Sequence, residues 1–391
     1  NVAKVKFTLV DNKMYIGFEG KNMFENATAY IDKLIEEKKL PLLDVVVKRG
    51  HEEIYRHYGA YNSAASGKEL LCMFSCTKVL TAVSAMRLVE EGKIALEDSV
   101  SKYIPQFKNA YTLTESGEKK YEDIKVWHLF TMSSGLDYKL TTPQIFKLSK
   151  ENYENATTLD VILSLLENPL HFEPGERFLY SLSHDALGAL VEVVSGLSLA
   201  EYMQKYIFDP LGMKNSTMYA DKYVQNPPTN HDIIEGYTYE KEKGNTYKHF
   251  HPTKNYMSGG AGLISTVEDF SVFAETLASG GTAANGYKLI GEKGIELLKT
   301  PVFDALDLKN NFTCVQGTDY AYGMGVRVRT KALECGIPKG EFGWDGAAGS
   351  YILVDTDNGI SITMGLNILN WPQVFAGENL AIAKLIYEEI V

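Results

Sequence analysis

The chain has 391 residues, 45% of them hydrophobic, which is enough apolar surface for one large two-part domain or two domains. Its net charge of −11, with no basic stripe, excludes a nucleic-acid surface, because neutralising phosphates takes clustered Lys and Arg. No apolar run approaches the length of a membrane span. The first residue is Asn1 rather than Met, which a removed signal peptide or a fragment boundary would explain. A secreted or periplasmic setting and a cytoplasmic one, of bacterial type, both stay open. Cys72, Cys76, Cys314 and Cys335 do not make a disulfide framework in a chain this long and read as free thiols. His249 and His251 would share one side of a strand, but no acidic third ligand accompanies them, so neither a metal nor a cofactor is expected.

In chain order, Lys4–Val10 and Met14–Phe18 read as a hairpin around Asp11-Asn12, and Met23–Lys39 as an amphipathic helix. Leu42–Gly50 and Glu53–Gly59 are expected to pair antiparallel around Gly50. From Ser75 the apolar residues Val79, Leu80, Val83, Met86, Leu88 and Val89 recur at helical spacing until Glu90-Glu91-Gly92. Further helices are predicted at Val126–Leu136, ended by Gly135, at Leu159–Leu166, at Ser183–Ser195, stopped by Gly196, and at Ala200–Tyr206, before a turn at Asp209–Met213. The polar stretch from Thr217 to Tyr256 reads as surface loop. Structure resumes at Ser258–Ser265, with a helix over Val267–Ala278, strands at Tyr322–Thr330, Ser350–Asp355 and Ile360–Leu366, and a last helix from Pro372 to Ile390. Strands at both ends with helices between them indicate an α+β fold: one antiparallel sheet built from both chain ends and flanked by helices, with an inserted helical region and a site in the cleft between them. The expected parts are a sheet subdomain at about 1–70 and 245–391 and a helical subdomain at about 71–244, within one domain over 1–391.

Three stretches carry a serine three residues before a lysine: Ser75/Lys78, Ser99/Lys102 and Ser116/Lys119. Residues three apart share a helix face, so a hydroxyl and an amine at that spacing can touch, and a lysine with a lowered pKa can take the serine's proton. Ser99 and Ser116 lie in polar, turn-rich stretches and read as solvated surface, whereas Ser75 opens an apolar helix. An N-cap serine with a lysine on the solvent face remains the alternative at this point. A serine–lysine pair needs a third proton carrier and an oxyanion hole. Tyr180, between the turn at Pro174-Gly175 and a helix start, is a candidate for the first, with core packing as its alternative. Gly343–Ser350, glycine-rich and leading into a strand, is a candidate for the second, with a tight turn as its alternative.

Taken together, Ser75-Cys-Thr-Lys78, Tyr180-Ser-Leu182 and Trp344-Asp-Gly346 resemble, in the same order, the three motifs of the serine β-lactamases and penicillin-binding proteins of class C type. Trp127–Leu136, Pro174–Gly196, Ile207–Met213 and Ser258–Asp269 resemble framing blocks of that family, and the likeness spans roughly residues 40 to 390. It implies the β-lactamase/transpeptidase fold, Ser75 as nucleophile, Lys78 and Tyr180 sharing the proton transfers, and the N–H groups of Ser75 and Ala347 as oxyanion donors. Leu182 and Trp344 stand where class C enzymes place an asparagine and a cationic Lys-Thr-Gly, and with Gly346 they fall at the substrate-binding positions. A leucine makes no amide hydrogen bond and an indole carries no charge, so the pattern resembles most the class C-related carboxylesterases called family VIII. The expected activity is hydrolysis of small esters through an acyl-enzyme. A β-lactamase, a D-amino-acid peptidase or amidase acting on an amide or peptide, and a non-catalytic penicillin-sensor-like module are the alternatives.

Overall fold

The computed structural model describes residues 5–10, 13–18, 23–218, 230–234, 237–240, 251–304 and 319–390. The fold is α+β. Its centre is an antiparallel sheet of β1 (Leu43–Arg49), β2 (Glu52–Gly59), β3 (Tyr320–Tyr322), β4 (Arg327–Arg329), β5 (Phe342–Asp345), β6 (Tyr351–Asp355) and β7 (Ile360–Gly365). The spatial order is β3-β4-β5-β6-β7-β1-β2, so β1 pairs with β7, Val46 opposite Thr363.

The alternation of side chains along a strand divides the apolar residues between two layers. On β6, Tyr351 and Leu353 face one core, and Ile352 and Val354 face the other. The first core also holds Ile31, Leu34 and Ile35 of helix α1 (Glu25–Lys38) and Ile382, Ile386 and Tyr387 of the C-terminal helix (Asn379–Ile390). The second is the large core shared with the helical region. It contains helix α2 (Thr77–Glu90), buried from Thr77 through Met86, and helix α3 (Ser183–Ser195), closed by Gly196 at φ 71°. Helix α4 (Val267–Ala278) lies on that face against β7, β1 and β6. Burying each Val, Leu or Met of α2 is worth about 1.5–3 kcal/mol, which is the reserve that lets one lysine be buried among them.

Several elements depart from the sequence-based expectation. The helix at Val126 ends at Phe130, not Gly135. Met132 takes a left-handed conformation at φ 57°, and the Ser133 N–H returns to the His128 carbonyl in a helix-terminating bond. Helix continues through the expected turn at Asp209 to Leu211, because a wide π turn over Gln204–Phe208 precedes Pro210, whose ring then sits in a first helical turn. Tyr322–Thr330 is not one strand: it spans the end of β3 and β4, which fold back on each other across Gly325 at φ 91°. Gly343–Ser350, expected as a glycine-rich stretch leading into a strand, begins within one: Phe342–Asp345 is an interior strand between β4 and β6. A helix at Pro143–Asn152, opened by Thr142 and Pro143, was not anticipated. The N-terminal hairpin, Val5–Val10 with Lys13–Phe18, forms a separate two-stranded sheet, and its Asp11-Asn12 turn lies outside the described residues. Much of the polar stretch from Thr217 to Tyr256 also lies outside them, as do Cys314 and His249. Within that stretch His231–Ile234 is strand rather than loop, pairing with Ile368–Leu369 and Tyr237–Glu240. Ile368–Leu369 lies more than a hundred residues away and leaves no local trace in the sequence.

Candidate active site

Ser75 occupies a 3₁₀ turn, Phe74–Cys76, that runs directly into α2. Three tethers hold the turn. The Met73 N–H donates to the Leu263 carbonyl (2.9 Å), the Thr77 hydroxyl donates to the Phe74 carbonyl (2.5 Å), and the Leu263 N–H donates to the Thr77 hydroxyl (3.0 Å). Within that frame Phe74 is held at φ 43°, a left-handed conformation that costs a non-glycine residue about 1–3 kcal/mol and persists only where its surroundings enforce it.

Lys78 is fully buried, so it does not lie on the solvent face. Its Nζ donates to Ser75 Oγ (3.1 Å) and to the Gly260 carbonyl (2.7 Å). It also sits 4.5 Å from the centre of the Tyr180 ring and 5.8 Å from that of Tyr138. Burial pushes the lysine down to about 7, while the charge of Asp185 and the Cys76 thiol pull it part of the way back. Tyr180 donates its hydroxyl to Ser75 Oγ at 2.6 Å. Burial, and then the neighbouring Tyr138, push that phenol well above its ordinary range, with the bond to Ser75 acting in the opposite direction. At neutral pH the serine oxygen therefore lies between a half-deprotonated amine and a protonated phenol.

The aromatic rings form a ladder. Tyr138 stacks on Tyr180 (5.3 Å), Tyr180 on Trp344 (5.9 Å), and Trp344 meets Tyr322 edge-on (5.3 Å). Trp344 is only 2% exposed, so it backs Tyr180 rather than opening onto solvent. Leu182 is 3% exposed, packs into the large core at the start of α3 and binds the Asp137 carbonyl through its N–H. Gly346 ends β5 against the turn of the candidate nucleophile: a Cβ there would strike the Met73 carbonyl and the Ser350 hydroxyl, which itself donates to Met73 (2.9 Å). Ala347 follows it, exposed, in the turn that Gly346 and Ser350 close. The structure thus brings Ser75, Lys78 and Tyr180 into hydrogen-bond contact and sets the Gly346–Ala347 turn beside them. Leu182 stays in the core.

Arg327 and Arg329 of β4 are both engaged by acids of the sheet. Arg327 bonds Asp345 (2.8 Å) and Glu341 (3.5 Å), and Arg329 bonds Glu341 (3.0 Å) and the Tyr320 hydroxyl. Asp185, behind Lys78, was not singled out from the sequence, where an acid in a first helical turn looks ordinary. Ser99 caps a short 3₁₀ turn and Ser116 lies in the loop of a small hairpin, so neither competing serine–lysine pair forms a site. Among the described residues no group of three or more His, Cys, Asp or Glu side chains is arranged to hold a metal, and no single helix is long and apolar enough to cross a membrane.

This fold and this arrangement define a serine hydrolase of the β-lactamase fold. The Beta-lactamase family model matches residues 27–386, and the chain belongs to that family. Lovastatin esterase of Penicillium rubens is 34% identical over 160 residues, 39% of this chain and 40% of that protein. Acyltransferase calJ of Penicillium decumbens is 27% identical over 327 residues, 76% of each chain. Among solved structures, EstCE1, a hydrolase with promiscuous acyltransferase activity, shares the fold with a TM-score of 0.74 at 22% identity, over 94% of this chain and 97% of that one.

Proposed function

We propose that the protein is a carboxylesterase acting on small, uncharged esters through an acyl-enzyme on Ser75. The observation that carries this reading is the serine hydroxyl held at once by Lys78 Nζ and the Tyr180 hydroxyl. In this scheme neutral Lys78 takes the Ser75 proton as Oγ attacks the ester carbonyl. The carbonyl oxygen becomes an oxyanion, held by the N–H groups of Ser75 and Ala347. As the intermediate collapses, Tyr180 donates its proton to the leaving alcohol and is reprotonated from the Lys78 ammonium. Water then repeats the sequence on the acyl-enzyme and releases the acid.

The raised Tyr180 and lowered Lys78 favour the lysine as base and the phenol as proton donor. With Leu182 and Trp344 in place of an amide and a cation, an anionic lactam or D-peptide would leave its carboxylate in an aromatic site without a partner, a cost of several kcal/mol. Ester cleavage and acyl transfer are what the esterase and the acyltransferase among the relatives are named for.

The test compares p-nitrophenyl esters, nitrocefin and a D-amino-acid p-nitroanilide as substrates of wild type and Ser75→Ala. The expected result is ester turnover that vanishes in the variant, with a mass increment on intact wild type after treatment with a fluorophosphonate. Equal ester turnover in Ser75→Ala would end the proposal, a preference for nitrocefin or the anilide would reassign the substrate, and an acyl adduct formed from one of these substrates on Ser75 and never released would mark a sensor.

A further inference from the structure

The motif Ser258-Gly-Gly-Ala-Gly-Leu-Ile-Ser265 and the carboxylate of Asp185 play no direct part in that reaction, yet they converge on its lysine. Asp185 lies in the first turn of α3 and is 1% exposed. Its Oδ1 accepts the Tyr256 hydroxyl (2.7 Å) and the Ser258 hydroxyl (2.8 Å), and the Gly260 N–H bonds the same carboxylate. Gly260 in turn presents its carbonyl to Lys78 Nζ at 2.7 Å. The Gly259 carbonyl takes the Thr81 hydroxyl at 2.7 Å, one helical turn further along α2. The strap at 258–260 therefore runs between α2 and α3, and only glycine fits the passage. A Cβ on Gly259 would strike the His184 carbonyl, and one on Gly260 would stand 2.7 Å from Asp185 Oδ2 and 3.3 Å from Lys78 Nζ.

The groups facing Lys78 from every packed element, among the described residues, are the Cys76 thiol, Tyr138, Tyr180, His184, Asp185 and Tyr256. Burial pushes Cys76 up to about 12, drives His184 down to about 3 and raises all three tyrosines, so each of these is neutral around pH 7. Asp185 is also pushed upward by burial, but the Tyr256 hydroxyl, the Lys78 charge, the Ser258 hydroxyl and the Gly260 N–H all favour its ionised form. Among the described residues Asp185 is the acid that acts most strongly on the amine, and the strap separates the two.

We propose that Asp185 is a positioning residue. Through the Ser258–Gly260 strap it fixes the carbonyl that aims Lys78 Nζ at Ser75, and its negative charge sets how readily the lysine releases a proton. The inference deepens the acyl-enzyme reading and rests on it.

The test measures kcat and KM for a p-nitrophenyl ester from pH 5 to 9 in wild type, Asp185→Asn and Ser258→Ala, with circular dichroism as a check on folding. Asp185→Asn keeps the shape and removes the charge. Its ascending limb is expected to move to lower pH by about one unit, as loss of an adjacent opposite charge requires. Its plateau kcat is expected to fall roughly ten- to a hundredfold through misplacement of the amine, with KM little changed. A limb that stays in place overturns the proposal, whatever the plateau does. Where Asp185→Asn does not fold, Ser258→Ala decides. Loss of one donor disfavours the ionised carboxylate and weakens its pull on the amine, so the limb is expected to move to lower pH with a lower plateau, and an unmoved limb again overturns the proposal. Wild type that turns over no ester, or Ser75→Ala as active as wild type, would instead refute the acyl-enzyme reading itself.

Discussion

A lysine that acts as base at neutral pH must be largely unprotonated there, and burial of Lys78 makes this quantitative. With the amine pushed down to about 7, half of it is neutral at pH 7. At the ordinary lysine value of ~10.4 the neutral share would be about one part in 2,000, a difference of roughly a thousandfold in competent enzyme. Perturbing the pH therefore has a defined expected result: kcat/KM is about eightfold lower at pH 5.5 than at pH 6.5, and nearly level between pH 8 and 9. Tyr180, raised well above its ordinary range, adds no limb in this interval. The assay is initial-rate hydrolysis of p-nitrophenyl butyrate, read at the isosbestic wavelength of the phenol and corrected for spontaneous hydrolysis. A flat profile, or a midpoint above pH 9, would refute the assignment of Lys78 as base. The same shift carries a stability consequence with a fixed sign. Between about pH 7 and 10 the unfolded chain binds a proton at Lys78 that the folded chain does not, so this residue's contribution becomes more favourable as pH rises through that window and is constant below it.

Tyr180→Phe removes the 2.6 Å bond to Ser75 and the proton donor, and kcat is expected to fall roughly 10²- to 10⁴-fold with KM nearly preserved, measured with the same ester; a loss under threefold would exclude the tyrosine from proton transfer. Gly346→Ala forces a methyl group onto the Met73 carbonyl and the Ser350 hydroxyl, so the turn carrying Ala347 must withdraw; kcat is expected to drop about 10²-fold in a protein that still folds by circular dichroism. Glu341→Gln leaves two buried guanidiniums short of their shared carboxylate, and urea unfolding is expected to show a loss of about 3–5 kcal/mol.

What the sequence disclosed and what it hid divide along physical lines. Ser75 and Lys78 are legible together because their contact is local, three residues along one helix. Tyr180 became legible only through the order of motifs, since nothing near it distinguishes one of 24 tyrosines. Asp185 left no trace because its partners Tyr256 and Ser258 lie 71 and 73 residues away, and its burial is a property of the packed molecule. The same limit applies to the strands. The pairing of β1 and β2 follows from a turn at Gly50, whereas the interior position of Phe342–Asp345 depends on β4 and β6 closing around it. The helix ends at Phe130 rather than near Gly135 because Met132 already takes a left-handed conformation three residues before that glycine does.

The union of β1 with β7 sets the order in which this molecule can come into being. Val46 and Thr363 are 317 residues apart. A ribosome adding about 5–20 residues per second needs roughly 15–60 s to deliver the second after the first. For that interval β1 has only β2 beside it, and the backbone N–H and C=O groups along its other edge face whatever the cell supplies. A chain cut short before Ile360 is therefore not a smaller hydrolase. It leaves β1 and β6 each with an unpaired edge, and helix α4, which packs on β7, β1 and β6, without the strand that joins them.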